Sequence, residues 1–279
     1  GNRSKPLVED PAGSGLRTGL GQGNLSSRSD EDWWSFTGAA GDWVVLAMEN
    51  PGEPSYSGLS FTLYQADGDS LINLQNNYAS QAQTKPVMLP VSGTYRVKVD
   101  WGGFNYQGEY HFRITTARPP LQLESEDNNS LAQANVLGLT AGVPGHQVGR
   151  ISGYVSSSDD YYSLGTLAAG TTITLGWSQP ASSGLEGSLI LYRSGGTAGI
   201  LVISNTPGVV HLSHVVQDLG NYYVQVAVEA SGTGLLAQYI LSVDVADTIR
   251  PLVTGTSLPR EGEVKRGVVD RFGVEFTED

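Results

Sequence analysis

The fold of this chain is decided by the stretch GTYRVKV at residues 93–99, which returns 127 residues later as GNYYVQV at residues 220–226. In both stretches apolar and polar side chains alternate. Because successive side chains of a β-strand point to opposite faces of a sheet, this period of two is typical of a strand that is buried on one face. The two stretches therefore predict two related strands, each with one face in a hydrophobic core.

Three further blocks recur in the same order and at almost the same spacing. They are DWWSF at 32–36 and DYYSL at 160–164, SFTLY at 60–64 and SLILY at 188–192, and YHFRI at 110–114 and YILSV at 239–243. Four blocks with a common order and spacing are hard to obtain by chance. The chain therefore holds two copies of one domain, each of about 110 to 125 residues.

Turn residues such as Asp67-Gly68 separate the predicted strands, and the one helix-like window, at 130–135, is short. Many short strands with frequent turns favour an antiparallel sandwich or barrel. We expect an all-β protein of two tandem antiparallel jelly-roll-like β-sandwiches, at 1–118 and 119–246, joined by a proline linker. Residues 247–279 form a short C-terminal β-segment, either the start of a third domain, cut short, or a tail on the second copy.

Charge and composition exclude several classes of function. The 279 residues include 16 Lys and Arg against 28 Asp and Glu, a formal net charge of −12. A chain this acidic repels nucleic-acid phosphates and anionic lipid, so neither is an expected partner. The absence of cysteine removes disulfides, thiol catalysis and cysteine-based metal sites. The chain has no run of about 18 apolar residues, so we expect no membrane insertion.

A catalytic site is not indicated. Two of the four histidines, His211 and His214, are three residues apart, which places them on opposite faces if that stretch is a strand. The sequence contains no Gly-x-Ser-x-Gly elbow, no His-Glu-x-x-His helix and no glycine-rich phosphate loop. These motifs are typical of common hydrolases and nucleotide-binding enzymes. We predict that the chain is not an enzyme.

Oxygen-bearing side chains collect at two places in the second copy. Calcium requires about six to eight hard oxygen ligands. The candidate ligands are Glu124, Glu126, Asn128, Asn129, Asp159 and Asp160. The alternative is an acidic linker and a solvated turn, with Asp160 capping a β-turn through its side chain. The first copy offers a sparser set, Glu9, Asp10, Asp30 and Asp32.

Aromatic residues form a second candidate site. Trp101, Phe104 and Tyr106 lie in a glycine-rich loop between two predicted strands of the first copy. Aromatic rings on a loop can stack on sugar rings or collagen-like chains, since they offer a large contact area with little entropy to lose. The alternative is that they cover the end of the sandwich core. In the pairs at 33–34 and 161–162, one ring of each pair faces the core and the other is unexplained.

Taken together, the blocks of the second copy resemble a known family. These are ESEDNNS at 124–130, SDDYYSL at 158–164 and AAGTTITL at 168–175, followed by the LILY, GNYYVQV and YILSV strands. This series resembles the bacterial pre-peptidase C-terminal domain, a secreted β-sandwich of jelly-roll type. Residues 9–116 resemble it more loosely. Residues 247–279, with DTIRP at the start and FTED at the end, resemble the opening of a bacterial Ig-like domain.

The resemblance implies a non-catalytic accessory role. Such domains are attached to secreted proteases and large surface proteins, and some bind collagen or other matrix and carry calcium near their N-terminal segment. Glu124, Glu126 and Asn128 match that calcium pattern, while Asn129 replaces an aspartate and lowers the ligand charge. We therefore expect a monomeric, extracellular or cell-surface region of a large bacterial protein. It would act as a matrix- or glycan-binding module or a calcium-stiffened spacer, or alternatively as an accessory domain pair of a secreted hydrolase.

Overall fold

The computed structural model of the chain describes residues 2–51, 58–76, 81–102, 108–155, 158–195, 199, 201–204, 210–228, 234–247, 253–257 and 271–276. Every regular element in these residues is a β-strand. The predicted all-β fold of antiparallel sandwiches is confirmed. The window at 130–135 contains one hydrogen-bonded turn, closed by a bond from the Gln133 amide to the Ser130 carbonyl.

The first domain is a sandwich of two sheets. Its strands are β1 (Asn2–Ser4), β2 (Val8–Glu9), β3 (Leu16–Leu25), β4 (Asp32–Gly38), β5 (Trp43–Glu49), β6 (Leu59–Tyr64), β7 (Ser70–Asn76), β8 (Gln81–Gln83), β9 (Val87–Met88), β10 (Gly93–Trp101) and β11 (Gly108–Ala117). One sheet has the order β1-β4-β10-β6-β7 and the other β2-β3-β11-β5-β8, with β9 also paired to β5. The pairing is antiparallel except between β1 and β4.

The second domain repeats this plan. Its strands are β12 (Leu121–Leu123), β13 (Asn135–Val136), β14 (Thr140–Ala141), β15 (His146–Tyr154), β16 (Asp160–Leu167), β17 (Thr172–Ser178), β18 (Gly187–Arg193), β19 (Leu201–Ser204), β20 (Val210–Val215), β21 (Gly220–Val228) and β22 (Gln238–Ala246). The sheets have the orders β12-β15-β22-β17-β20, with β14 paired to β15, and β13-β16-β21-β18-β19. The central triplet β16-β21-β18 corresponds to β4-β10-β6, as the sequence repeat requires.

Alternation along the strands builds each core. In β10, Tyr95, Val97 and Val99 are buried while Arg96 and Lys98 on the other face stay partly exposed. Each domain has its own cluster of buried apolar side chains between its two sheets. Since burying one large apolar side chain contributes roughly 1.5–3 kcal/mol, these clusters are the main source of stability in each sandwich.

The two domains also contact each other. A small apolar cluster joins them, formed by Leu16 and Ala117 from the first domain with Leu121 and Ile240 from the second. The Gln238 side chain adds two hydrogen bonds, accepting one from the Thr18 hydroxyl (3.1 Å) and donating one to the Thr115 hydroxyl (3.1 Å). The outer face of the β11 sheet is therefore covered by the second domain.

Two further strands lie beyond the second domain. β23 (Val253–Thr256) pairs antiparallel with β24 (Val274–Phe276). In the part of the chain described, the structure contains no helix with the length and apolar character needed to cross a membrane.

Candidate metal centre

Three carboxyl groups meet at one end of the second sandwich. Glu124, Glu126 and Asp160 each place an oxygen within 4.8 Å of the others, and they form the one such group among the described residues. Glu124 and Asp160 are buried at 1 % exposure each, whereas Glu126 is partly exposed. Burying acids together is costly unless a proton or a cation compensates their charge.

Strand pairing brings these acids together. Glu124 directly follows β12, and its amide donates to the Ser152 carbonyl of β15 (3.0 Å). Asp160 is the first residue of β16 and shares its inward face with Tyr162. A bond from the Tyr161 amide to the Asn128 carbonyl (2.9 Å) joins the segment after β12 to the start of β16. The segment after β12 therefore forms hydrogen bonds with β15 in one sheet and with β16 in the other, and the acids lie between these two strands.

Buried hydroxyl and amide donors orient two of the carboxylates. Glu124 accepts hydrogen bonds from the Tyr154 amide (2.6 Å) and the Tyr162 hydroxyl (2.9 Å). The Tyr239 hydroxyl donates to Asp160 Oδ2 (2.6 Å) and lies 2.5 Å from the Tyr162 hydroxyl. Gly153 makes room for this arrangement, since a Cβ at that position would overlap the Tyr239 hydroxyl.

Burial and repulsion by neighbouring acids raise the pKa of all three acids. Burial, followed by the charge of Glu126, raises the pKa of Glu124 to about 8, against the hydrogen bonds from Tyr162 and the Tyr154 amide and the charge of Arg113. Burial and then the charge of Glu124 raise the pKa of Asp160 well above its usual value. The pKa of Glu126 is also raised, chiefly by burial. At neutral pH the cluster therefore retains a proton unless a cation supplies the missing positive charge.

Asn128 adds an amide group to the cluster. Its side chain is fully buried. With the amide nitrogen turned toward the acids, it donates to Asp160 Oδ1 (3.2 Å) and Glu126 Oε2 (3.0 Å). With the oxygen turned toward them, three oxygens face one another with no proton between them, an arrangement that a shared cation would satisfy. The orientation of this amide therefore depends on what compensates the carboxylates.

Two of the six predicted ligands do not join the cluster. Asn129 is exposed and accepts a hydrogen bond from the Ser158 hydroxyl (2.7 Å). Asp159 accepts from the Gln225 side chain (2.5 Å) and from the Val228 amide (2.9 Å). Because Asp159 and Asp160 are adjacent at the start of a strand, they point to opposite faces. The structure brings together Glu124, Glu126, Asn128 and Asp160.

The first domain carries a reduced version of this centre. Tyr110 donates to Asp32 Oδ2 (2.7 Å) and accepts from the Trp34 indole (3.0 Å), so Trp34 takes the place of Tyr162. The guanidinium of Arg3 lies over the Trp34 ring at 5.2 Å. Burial, followed by the hydrogen bond to Asp32, raises the pKa of Tyr110, and the Trp34 hydrogen bond and the charge of Arg3 oppose this rise. The first domain therefore has one acid, Asp32, where the second has Asp160, and a cation lies over the neighbouring indole ring.

The other acids proposed for the first copy bind separate partners. Glu9 accepts from the Gly15 amide (2.9 Å), and Asp10 accepts from the Ala181 amide of the second domain (2.7 Å). Asp30 accepts from the amide and hydroxyl of Ser26 (both 2.8 Å). Glu9 lies in β2, which corresponds to β14 and not to the segment that carries Glu124. The four acids do not form a cluster.

The predicted aromatic loop is described at one of its three residues. Trp101 ends β10 and is partly exposed, and the Arg28 guanidinium covers its ring at 5.0 Å. Its indole nitrogen is buried and has no hydrogen-bond partner in the described part of the chain. Phe104 and Tyr106 lie outside the described residues. Trp101 therefore has one ring face already occupied.

Sequence reasoning missed the tyrosines that orient the acids. The sequence places one ring of the 161–162 pair in the core and Tyr239 at the start of a strand, but it gives no sign that Tyr162 and Tyr239 donate hydrogen bonds to Glu124 and Asp160. The available signal was the choice of tyrosine over phenylalanine at a core position. A buried phenol needs a polar partner, so two such residues in the same core indicate a buried polar group nearby.

Comparisons with known proteins leave the family open. No protein-family model matches the chain, and the search of curated proteins found no match. Similar solved structures include the pre-peptidase C-terminal domain of a collagenase from Bacillus anthracis, at 14 % identity over 41 % of this chain and 94 % of that chain, with a TM-score of 0.30. At identities and TM-scores this low, the likeness assigns no ligand and no activity.

Two further neighbours belong to other kinds of protein. PliG of Salmonella Typhimurium, a periplasmic inhibitor of g-type lysozyme, is 20 % identical over 41 % of this chain and 97 % of its own, with a TM-score of 0.28. The N-terminal CBM22 tandem domain of Xyn10C from Paenibacillus barcinonensis is 11 % identical over 88 % of this chain and 98 % of its own, with a TM-score of 0.25.

Proposed function

We propose that this chain is a non-catalytic, extracellular region of a bacterial secreted or cell-surface protein, stiffened by one calcium ion in its second domain. The observation that carries the proposal is the buried cluster of Glu124, Glu126 and Asp160. The resemblance of residues 124–245 to the pre-peptidase C-terminal domain supports the extracellular, accessory assignment.

The donor set suits a hard cation. The three carboxylates present oxygen atoms, and the Asn128 amide does so in one of its two orientations. Calcium takes about six to eight oxygen ligands in a flexible geometry, and bidentate carboxylates supply two each. Transition metals favour nitrogen and sulfur donors, which this cluster does not contain. The residues present therefore fit calcium.

The surrounding residues hold the ligands in place. The Tyr154 amide and the Tyr162 hydroxyl fix Glu124, and the Tyr239 hydroxyl fixes Asp160. Such outer hydrogen bonds orient ligands before the ion arrives. A bound calcium ion supplies the positive charge that the buried carboxylates lack. Glu124 also accepts a hydrogen bond from Gln83 of the first domain (3.3 Å), so fixing Glu124 also fixes the junction between the domains.

Calorimetric titration with calcium, together with thermal melts in calcium and in chelator, tests this function. We expect one site per chain and a melting temperature that rises by several degrees in calcium, since a ligand at 100 times its Kd adds about 2.7 kcal/mol to the native state. Asp160→Asn should remove the shift. The matched control, Asp32→Asn at the corresponding position of the first domain, should keep it. Identical melts of the unmodified protein in calcium and in chelator would overturn the proposal.

A further inference from the structure

Each domain carries a pair of aromatic rings on the outer face of one sheet. In the first domain the rings of Trp33 and Tyr64 lie 5.6 Å apart, inclined at 37°. In the second, Tyr161 and Tyr192 lie 6.5 Å apart at 40°. All four side chains are partly exposed, and their neighbours in sequence supply the core. These outer rings are therefore not needed to fill the sandwich.

Two cations adjoin the aromatic pair of the first domain. In the strand register, Arg96 lies opposite Tyr64 and Lys98 lies opposite Trp33. The four side chains line a depression of about 480 Å³, with Gln65 and Gly68 at its edge. We name this depression the β10 patch. It places two ring faces and two positive charges on an otherwise acidic protein.

The two cations differ in whether neighbouring acids form ion pairs with them. Lys98 forms ion pairs with Asp100 (2.5 Å) and Glu31 (3.5 Å). Arg96 has neither an ion pair nor a side-chain hydrogen bond with any residue in the described ranges. Its guanidinium therefore remains able to bind a ligand, and a planar guanidinium matches a carboxylate through two parallel hydrogen bonds.

We propose that the β10 patch binds a uronic acid residue within an anionic polysaccharide. The apolar face of a sugar ring would pack on Trp33 and Tyr64, and its carboxylate would pair with Arg96. The patch is a shallow depression that lies open on the outer face of a sheet, so a sugar in the middle of a chain can pass across it. This favours a polysaccharide over a terminal sugar, which a closed pocket would hold.

The second domain provides an internal comparison. At the positions of Arg96 and Lys98 it has Tyr223 and Gln225, and Gln225 is bound to Asp159. Its aromatic pair therefore lacks the cations. The first domain alone should therefore distinguish the charged sugar from its uncharged ester. Among the residues that the structure describes, the aromatic pair of the second domain has no unpaired guanidinium beside it to bind the carboxylate.

This binding role deepens the proposed extracellular function but does not depend on the calcium site, which lies in the other domain. The test uses the whole chain and calorimetric titration with oligogalacturonate, compared with its methyl ester, which keeps the rings and removes the charge. The titrations are done in calcium and in chelator. We expect the acid to bind about tenfold or more tightly than the ester in both conditions.

Single-residue variants test whether binding depends on the β10 patch. Arg96→Ala should bind the acid as weakly as the ester, and Trp33→Ala should weaken binding of both. Tyr161→Ala, the matched control in the second domain, should leave binding unchanged. Unaltered melting temperatures establish that the variants fold. Equal binding of acid and ester, absence of binding, or an equal effect of Tyr161→Ala and Trp33→Ala would each overturn the proposal, whatever the calcium titration shows.

Discussion

The guanidinium of Arg113, from the first domain, lies over the ring of Tyr154, from the second, with its Cζ 4.2 Å from the ring centroid. Arg113 also donates to the Leu235 carbonyl (2.5 Å) and to the Gln83 side chain (2.7 Å), and Gln83 in turn donates to Glu124 (3.3 Å). The domain junction and the carboxylate cluster therefore share one buried polar network.

Removing the arginine should loosen the junction. Arg113 is 1 % exposed, and burial lowers its pKa to about 10, so it remains charged at neutral pH. Arg113→Ala leaves the Leu235 carbonyl and Gln83 without their donor and removes a compensating charge from Glu124. We expect a loss of about 3 kcal/mol of stability and a larger radius of gyration by small-angle scattering. Arg96→Ala, at a partly exposed position of the first domain, is the control. A radius and melting temperature equal to those of the unmodified protein would contradict the network.

The carboxylate cluster should make stability depend on pH in the absence of calcium. The pKa of Glu124 is about 8 in the folded chain against 4.5 as its ordinary value, and the pKa of Asp160 is raised as well. A raised pKa means that the folded state holds its proton more tightly than the unfolded state. For Glu124 the stabilisation is then complete below about pH 4.5 and is lost as the pH rises toward 8, at about 1.4 kcal/mol per pH unit, and the raised pKa of Asp160 adds a loss in the same direction.

Thermal melts in chelator between pH 5 and pH 8 measure this dependence. We expect the melting temperature to fall over that range. In excess calcium the fall should be smaller or reversed, because the ion binds the deprotonated carboxylates. Asp160→Asn should flatten the profile in chelator, while Asp32→Asn should not. A flat profile for the unmodified protein in chelator would be inconsistent with buried, mutually repelling acids.

Strand periodicity supports most of the fold prediction, and it also separates the candidate metal ligands into those that face inward and those that face outward. Asp160 lies two residues before Tyr162, so both face inward, whereas Asp159 shares the outward face of Tyr161. Applying the alternation one residue further back would have removed Asp159 from the ligand set. Asn129 fails for a different reason, since its place outside the cluster depends on how residues 124–130 turn, which no period describes.

The contacts at the domain junction cannot be predicted from local sequence patterns. Arg113 occupies an outward position of β11, where alternation predicts a solvent-exposed cation. It is buried because a second sandwich covers that face, and two of its partners, Leu235 and Tyr154, come from distant parts of the chain. Nothing in the pattern around Arg113 distinguishes it from Arg96, which occupies an outward position of β10 and remains free. Contacts between domains require the assembled surfaces.

Position 153 should tolerate only glycine, because there is no space for a side chain beside Tyr239. A Cβ there would overlap the Tyr239 hydroxyl and lie 2.5 Å from Glu124 Oε2. Gly153→Ala should therefore cost about 1–3 kcal/mol in denaturant unfolding and should weaken calcium binding. Gly23→Ala, where a Cβ would overlap the Tyr110 hydroxyl and lie 2.8 Å from Asp32 Oδ2, should cost a similar amount and leave calcium binding intact. Gly184→Ala meets no atom within 4 Å and should be neutral. A neutral Gly153→Ala would argue against the close packing around Tyr239.

One buried tyrosine from each domain should separate stability from metal binding. Tyr239 donates to Asp160 and lies beside the Tyr162 hydroxyl, and Tyr110 donates to Asp32 while accepting from Trp34. Replacing either tyrosine with phenylalanine keeps the packing but leaves buried polar partners unsatisfied, which costs about 1–3 kcal/mol. Both variants should therefore show a lower midpoint in denaturant.

Calcium titration then distinguishes the two tyrosine variants. Tyr239→Phe releases Asp160 from its orienting hydrogen bond, and loss of such a bond typically weakens metal binding by about 10- to 100-fold. Tyr110→Phe alters the first domain, which does not contain the carboxylate cluster, so calcium binding should be unchanged. Calcium binding by Tyr239→Phe as tight as that of the unmodified protein would contradict the orienting role of the phenol toward Asp160.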